Sequence, residues 1–337
     1  MEKLGTPQRA PGSAPAKRIP NGTVLVVATL LVAVAISAFG IYKMRGRKRP
    51  SISFQSVKLL KLTTSGNVVV AAISPDGRDF AYVTSESGKQ TLWIKQVASA
   101  GRNLEIVPAS EGNYHGLSFS PDGNFIYYVR SNEGQPNTIF RIPVLGGTSI
   151  TLSKLVDSPV AFSPDGKFMS YLRGYPDSNE TALIVAPIDG TSERKVVALK
   201  NPSGFVVTSA PAWSSDSKQI AAVGKEEESG APYQRILIVT VADGSSTSLE
   251  KAHWLQIGRL AWCADGNSLI ATATDQGSPG SQVYQVSYPS GQAQRVTNDL
   301  TDYQQVTLTR DSRQILAVQT ESQANLWTRD VILLSGP

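Results

Sequence analysis

Histidine and cysteine, the side chains that most often serve as base, nucleophile or zinc ligand near neutral pH, occur only three times in this sequence, as His115, His253 and Cys263. Two histidines and one cysteine do not make up the usual three- or four-ligand zinc sets or a dinuclear centre. A Ser-His-Asp triad would need one of the histidines, yet no Gly-x-Ser-x-Gly elbow accompanies either. His115 follows Tyr114 and His253 precedes Trp254, so both read as loop or rim residues. Cys263 closes an apolar run, where cysteine reads as a small buried hydrophobe, and a single cysteine forms no internal disulfide. No turn extends into the alternating carboxylate pattern of a calcium loop. No catalytic group, metal or cofactor is expected.

The remaining candidate chemistry is carboxylate. One short phrase recurs six times, as Ser74-Pro75-Asp76-Gly77, Ser120-Pro121-Asp122-Gly123, Ser163-Pro164-Asp165-Gly166, Ser214-Ser215-Asp216-Ser217, Cys263-Ala264-Asp265-Gly266 and Thr309-Arg310-Asp311-Ser312. An Asp-Gly pair between two apolar runs is a hairpin signal, because glycine accepts a positive φ and the Asp side chain bonds backbone two residues on. The carboxylates therefore read as turn chemistry. The last three copies lose Pro or Gly, as a structural signature can and a ligand set rarely does.

The phrases stand 46, 43, 51, 49 and 46 residues apart, close to the length of a four-stranded propeller blade. Apolar strands flank each one, such as Val68-Val69-Val70-Ala71-Ala72-Ile73 before the first and Phe125-Ile126-Tyr127-Tyr128-Val129 after the second. A second turn follows about twenty residues on, at Leu145-Gly146-Gly147-Thr148, Asp189-Gly190-Thr191, Asp243-Gly244-Ser245 and Pro289-Ser290-Gly291. Two hairpins per repeat make four antiparallel strands. Residues 51–337 are thus expected to form an all-β, six-bladed propeller. The sixth repeat has strands near 305–308, 314–319 and 325–329, and residues 57–63, which resemble 293–297, are expected to supply its missing outer strand and lock the ring.

A different kind of sequence precedes the ring. Residues 23–42 carry no charge and, at 1.5 Å per residue, reach roughly 30 Å, the hydrocarbon thickness of a bilayer. They read as one transmembrane helix or an export signal, with the anchor preferred because the leading tail, residues 1–22, is long for a signal peptide. That tail has the Pro/Ala-rich composition of a disordered linker. A basic juxtamembrane linker follows at 43–50, with Lys43, Arg45, Arg47, Lys48 and Arg49. Residues 1–50 hold nine of the 32 basic and one of the 27 acidic side chains, leaving the ring with 23 basic against 26 acidic residues. A mildly acidic ring argues against nucleic acid as a partner; the basic cluster suits lipid headgroups. Counted by the positive-inside rule, the flanks lean toward a cytoplasmic ring.

The runs Ala71-Ala72-Ile73-Ser74-Pro75-Asp76-Gly77, Gly116 to Val129 and Ser158 to Lys167 resemble the propeller repeats of the TolB family. A longer resemblance rests on Phe54-Gln55, Leu62-Thr63-Thr64-Ser65-Gly66, Leu92-Trp93-Ile94, Ile142-Pro143-Val144-Leu145-Gly146-Gly147 and Val296-Thr297-Asn298-Asp299-Leu300. These are similar to the extracytoplasmic propellers of membrane serine/threonine kinases of soil bacteria such as acidobacteria, over roughly residues 20–330. The resemblance implies a ring on the periplasmic side of the inner membrane, reversing the lean of the charge count, and an association with kinase signalling. It does not imply kinase activity, because no glycine-rich phosphate loop, His-Arg-Asp or Asp-Phe-Gly occurs in the sequence.

If tight turns occupy one rim of the ring, the long connections emerge on the other, at 85–90, 131–137, 174–180, 225–233 and 275–281 within blades, and 109–115, 201–209, 251–258 and 298–304 between them. Variable loops on a rigid scaffold are where recognition is usually placed. Tyr114, His115, Tyr175, Phe205, Tyr233, Trp254, Gln256 and Tyr303 lie on or beside these segments and are the candidate contact residues for a protein, peptide or glycan. The expectation is a membrane-anchored, non-enzymatic sensor or docking propeller. The alternatives are a hydrolase-associated propeller and a TolB-like cell-envelope accessory.

Overall fold

Short strands that are apolar on both faces must be covered on both sides, and the chain meets that demand by packing sheet against sheet around an axis. The computed structural model describes residues 52, 54, 60–98, 103–228, 230–249, 254–278 and 280–320. The expected tail, span and basic linker, and His253, lie outside the described residues. Among the described residues no helix is long and apolar enough to cross a membrane.

Blade 1 comprises β1 (Val68–Ile73), β2 (Asp79–Glu86), β3 (Lys89–Gln96) and β4 (Leu104–Ser110), and blade 2 comprises β5 (Asn113–Phe119), β6 (Phe125–Ser131), β7 (Thr138–Pro143) and β8 (Ile150–Lys154). In blade 3, β9 (Ala161–Phe162) is followed by β10 (Phe168–Tyr175), β11 (Glu180–Pro187) and β12 (Arg194–Lys200). Blade 4 has an interrupted inner edge, in which β13 (Gly204–Phe205) and β14 (Ala212–Trp213) both pair with β15 (Gln219–Glu228), followed by β16 (Ala231–Thr240) and β17 (Ser246–Ser248). Blade 5 is β18 (Gln256–Trp262), β19 (Ser268–Thr274), β20 (Gln282–Ser287) and β21 (Ala293–Arg295). A last sheet holds two strands, β22 (Asp302–Leu308) and β23 (Ile315–Thr320). All pairings are antiparallel and, β13 with β15 apart, between consecutive strands, and β1, β5, β9, β14, β18 and β22 each run into one of the six Asp turns.

The expectation of six blades is corrected to five complete blades and a two-stranded sheet. The third strand expected at 325–329 lies outside the described residues. So do 55–59, and residues 60–63 take no strand conformation, so the described part of 57–63 supplies no outer strand. Ile52 and Phe54 reach the ring in another way. The Ile52 N–H donates to Asp265 Oδ2 at 3.0 Å, its carbonyl accepts from Gln285 Nε2 at 2.6 Å, and both residues pack beside Cys263, Ile270 and Val283.

Six apolar clusters separate the sheets and form a closed cycle: blade 1 on 2, 2 on 3, 3 on 4, 4 on 5, 5 on the last sheet, and the last sheet back on blade 1. The final contact is closed by side chains that imitate backbone. Gln305 Nε2 donates to the Val69 carbonyl at 3.0 Å, its Oε1 accepts the Ala71 N–H at 3.4 Å, and Thr307 Oγ1 accepts the Ile73 N–H at 3.2 Å.

The Asp turns share one geometry. In the first, the Ser74 hydroxyl donates to Asp76 Oδ1 at 2.7 Å, the same oxygen accepts the Arg78 N–H at 3.1 Å, and Ser74 Oγ accepts the Asp79 N–H at 3.0 Å. The same bonds hold Asp122, Asp165, Asp216 and, from Thr309, Asp311. The bond from Ser74 and the Arg78 amide hold the Asp76 carboxyl below its ordinary value, and the corresponding bonds do so at Asp165 and Asp311. The fifth turn differs. Cys263 cannot make the hydroxyl bond; Asp265 Oδ1 keeps the Asn267 N–H at 2.8 Å, Ser268 lies beside the carboxylate, and Oδ2 accepts the Ile52 amide. The turns also touch round the rim: the Arg310 N–H donates to the Pro75 carbonyl at 2.8 Å, and the Ala264 N–H to Ser312 Oγ at 2.9 Å.

Two drifted copies place serine where the others place glycine, at Ser217 (φ 61°) and Ser312 (φ 55°). A side chain in this left-handed region costs about 1 kcal/mol. Ser217→Gly is expected to raise stability in chemical denaturation by up to about 1 kcal/mol. Ser312→Gly is not, because it also removes the hydroxyl that receives the Ala264 amide. An equal gain in both variants would contradict this account of the turn rim.

Candidate functional site at the channel mouth

Each inner strand begins on the rim opposite the Asp turns, and four of them are bulged close to that end. Pairing steps from Val68 to Val70 in β1, from Tyr114 to Gly116 in β5, from Ile257 to Leu260 in β18 and from Tyr303 to Gln305 in β22. The residues left over are Val69, His115, Gly258 with Arg259, and Gln304. A bulge re-aims a side chain out of the pleat, so the repeat places four irregular positions at one end of the channel. Two glycines permit the close approach. A Cβ on Gly116 would lie 2.4 Å from Pro159 Cβ, and one on Gly258 2.9 Å from the Gln304 carbonyl oxygen.

Arg259 has the most unusual surroundings. Its N–H donates to Thr272 Oγ1 at 2.9 Å, fixing the bulge, and Nη2 reaches the carbonyl of His115 at 3.5 Å. His115 belongs to blade 2 and Arg259 to blade 5, which stand three interfaces apart in either direction round the ring. The side chain therefore crosses the axis. It is 6% exposed, and burial pulls its guanidinium down to about 10.

His115 Nε2 lies 2.7 Å from Ser131 Oγ at the end of β6. Burial lowers the imidazole from its ordinary 6.5, and the nearby Asp157 carboxylate partly opposes this. A serine hydroxyl against a neutral imidazole is the first half of a nucleophile–base pair. The second half is engaged elsewhere: Asp157 Oδ2 accepts the Gly174 N–H at 2.8 Å and Oδ1 the Asn137 amide at 3.2 Å.

Of the eight residues predicted from sequence, four rings are inside the packing between sheets. Tyr114 is 5% exposed, with its ring 5.3 Å from that of Tyr128. Phe205 is 1% exposed. Trp254 lies edge-on to Tyr284 at 4.6 Å, and Tyr303 donates its hydroxyl to Asp299 Oδ2 at 2.7 Å. These rings hold blades together and are not a contact surface. His115 is half-buried and Gln256 exposed. Tyr233 donates to Glu226 Oε2 at 2.9 Å in an extended β15–β16 hairpin that replaces the loop expected at 225–233. Tyr175 lies beneath Lys195 Nζ, 4.1 Å from the ring centre, and helps line a cleft of about 220 Å³ between blades 3 and 4 with Asn179, Glu180, Asn201, Ser203 and Lys225. Lys195 and Lys200 both approach Glu180, at 3.8 and 3.5 Å.

Sequence reasoning missed Arg259, Ser131 and three exposed leucines, Leu155, Leu255 and Leu300, each on a blade-to-blade connection of this rim and 60%, 53% and 91% exposed. The Gly258-Arg259 pair inside an apolar strand is the one signal that could have marked the bulge. Among the described residues no group of three or more His, Cys, Asp or Glu could hold a metal ion.

The neutral form of His115 is favoured by folding, so its contribution to stability is full above the unfolded value of 6.5 and is lost as pH falls from there through the lower folded value. Urea melts between pH 7.5 and 5 should show wild type losing more stability than His115→Gln over that window. Parallel pH profiles would sink this assignment.

A model of the TolB beta propeller domain matches residues 154–332 of the chain. A protein assigned as TolB from Agrobacterium tumefaciens is 19% identical, with a TM-score of 0.55 over 69% of this chain and 82% of that one. TolB from Acinetobacter baumannii is 17% identical, with a TM-score of 0.54 over 74% of this chain and 65% of that one. An oligogalacturonate lyase solved with manganese is 15% identical, with a TM-score of 0.51 over 73% and 72%. At these identities the likeness is one of fold. No curated protein sequence matches the chain.

Proposed function

The chain belongs to the TolB beta propeller domain family, and on that premise we propose that it is a docking propeller, a ring whose channel-mouth rim binds a protein or peptide segment. The observation that carries this reading is the placing of exposed Leu155, Leu255 and Leu300 on three blade-to-blade connections of one rim. Singly exposed leucines are ordinary; three on connections around one channel mouth, backed by rigid sheets, suit a docking surface. Tyr114, Phe205, Trp254 and Tyr303 serve this rim by fixing its backbone.

In the fuller form of the proposal, residues 23–42 anchor the ring to the inner membrane on its periplasmic side and couple it to a cytoplasmic kinase module. The charge-free run and the resemblance to kinase-linked propellers support it.

A second reading is favoured by one observation, the 2.7 Å contact between Ser131 and His115, which suits a hydrolytic centre. It is the weaker reading because Asp157 bonds Gly174 and Asn137.

A photo-crosslinking residue at Gln256 or Leu300 should trap a partner from the cell envelope, and one at Leu145, exposed in the β7–β8 turn of the opposite rim, should not. Leu255→Asp with Leu300→Asp should abolish the trapping with the fold intact. Equal yields from both rims would end the docking proposal, and peptidase or esterase turnover lost in Ser131→Ala would replace it with the hydrolytic one. Protease accessibility in spheroplasts tests the periplasmic placement, and a ring protected until lysis would reverse it.

A further inference from the structure

We propose that Arg259 is the anchor of a carboxylate-binding site in the mouth of the central channel. A guanidinium does not shed its proton near neutral pH, so burial leaves it charged. Buried charges are ordinarily paired, because an unpaired one forfeits its hydration without return. Arg259 is 94% buried. Among the described residues no Asp or Glu forms an ion pair with it, and its side chain makes a single hydrogen bond, at 3.5 Å, to a neutral carbonyl. Four of its five N–H donors thus have no partner among the described residues.

The position suits an incoming ligand. Arg259 extends from the bulge of β18 across the axis to β5, near the end of the channel flanked by exposed Gln256 and half-buried His115. The charge count selects the chemistry. Burial favours the neutral form of His115, so it adds no second positive charge to that of Arg259, while the nearby Asp157 carboxylate adds a negative one; a monocarboxylate suits that balance better than a phosphate dianion. The planar fork of a guanidinium also matches the two oxygens of a carboxylate. The site is separate from the cleft between blades 3 and 4, and it stands whether or not the leucines of the rim dock a protein.

The test is thermal unfolding of the full chain at pH 7 in sodium acetate against sodium chloride of equal ionic strength. Acetate should raise the midpoint saturably, with half-effect in the low-millimolar range expected of so small a ligand, on the order of 1–10 mM. Arg259→Gln should weaken the response at least about tenfold, the scale of one charge-assisted contact. If Arg259→Gln does not fold, wild type decides alone: equal midpoints in acetate and chloride overturn the site, and a larger shift in phosphate than in acetate overturns the carboxylate assignment. Acetyl-diglycine with a free carboxyl terminus and acetyl-aspartyl amide distinguish a chain terminus from a side chain as the natural source. A shift from either, absent with acetyl-diglycine amide, supports the proposal; an equal shift from the amide refutes it.

Discussion

The contact between the last sheet and the first is the constraint on which the rest of the ring depends. Every sheet here is apolar on both faces, so each needs two neighbours, and an open row would leave Ala71, Phe80 and Tyr82 on one end and Leu316 and Val318 on the other facing water. Closing the row removes both exposed faces at once. The last sheet has few large side chains for the task, and the seam is completed instead by Gln305 and Thr307, whose polar groups bond the backbone of β1 where a neighbouring strand would. Hydrogen bonds of this kind contribute only about 1 kcal/mol each, but they fix register, and register decides where every other inner strand begins.

Closure also brings blades 2 and 5 face to face across a narrow axis. The bulges of β1, β5, β18 and β22 fall at the same end, so the irregular residues of four blades converge although they are far apart in sequence. Arg259 and His115, 144 positions apart, meet only because the cycle of interfaces is complete. A site of this kind is a property of the ring, not of any one repeat. The Asp turns, by contrast, are made locally by each blade, and their carboxylates bond the hydroxyl and amide groups of their own turn.

The same distinction explains what could be read from the chain before its structure. The turn phrases were legible because a Ser-x-Asp turn is satisfied within six residues, and Ser74, Asp76 and Asp79 bond as their spacing implies. Blade length and strand order followed from them. The closing segment was not legible, since 57–63 shows an apolar pattern that several registers would satisfy, and the contacts found are those of Ile52 and Phe54 with blade 5. The rim aromatics were misplaced for a related reason. An aromatic residue at the start of an inner strand can face the loops or the next sheet, and sequence does not say which; Tyr114, Trp254 and Tyr303 take the sheet because a neighbour lies within reach. Arg259 was invisible because a lone cation in a strand reads as a solvent-facing position until the opposite blade is known.

The drift of the later repeats is then informative in itself. In the first three turns the hydroxyl of Ser74, Ser120 or Ser163 and the amide two residues past the Asp share one oxygen of its carboxylate. Cys263 removes the hydroxyl at the fifth, and the buried thiol, pushed up to about 12 by desolvation, offers no charged substitute. Asp265 Oδ1 keeps the Asn267 amide of its own turn at 2.8 Å, and its Oδ2 accepts the Ile52 amide 213 residues away. Residues ahead of the first blade thus attach to the fifth, beside the last sheet, through the Asp265 oxygen that the turn does not use. A hydroxyl restored at position 263 would bond Oδ1, as in the other turns, and leave Oδ2 to the Ile52 amide. The repeat signature and the attached segment therefore draw on different oxygens of one side chain, and the drift at position 263 is tolerated because the Asn267 amide keeps Asp265 in its turn.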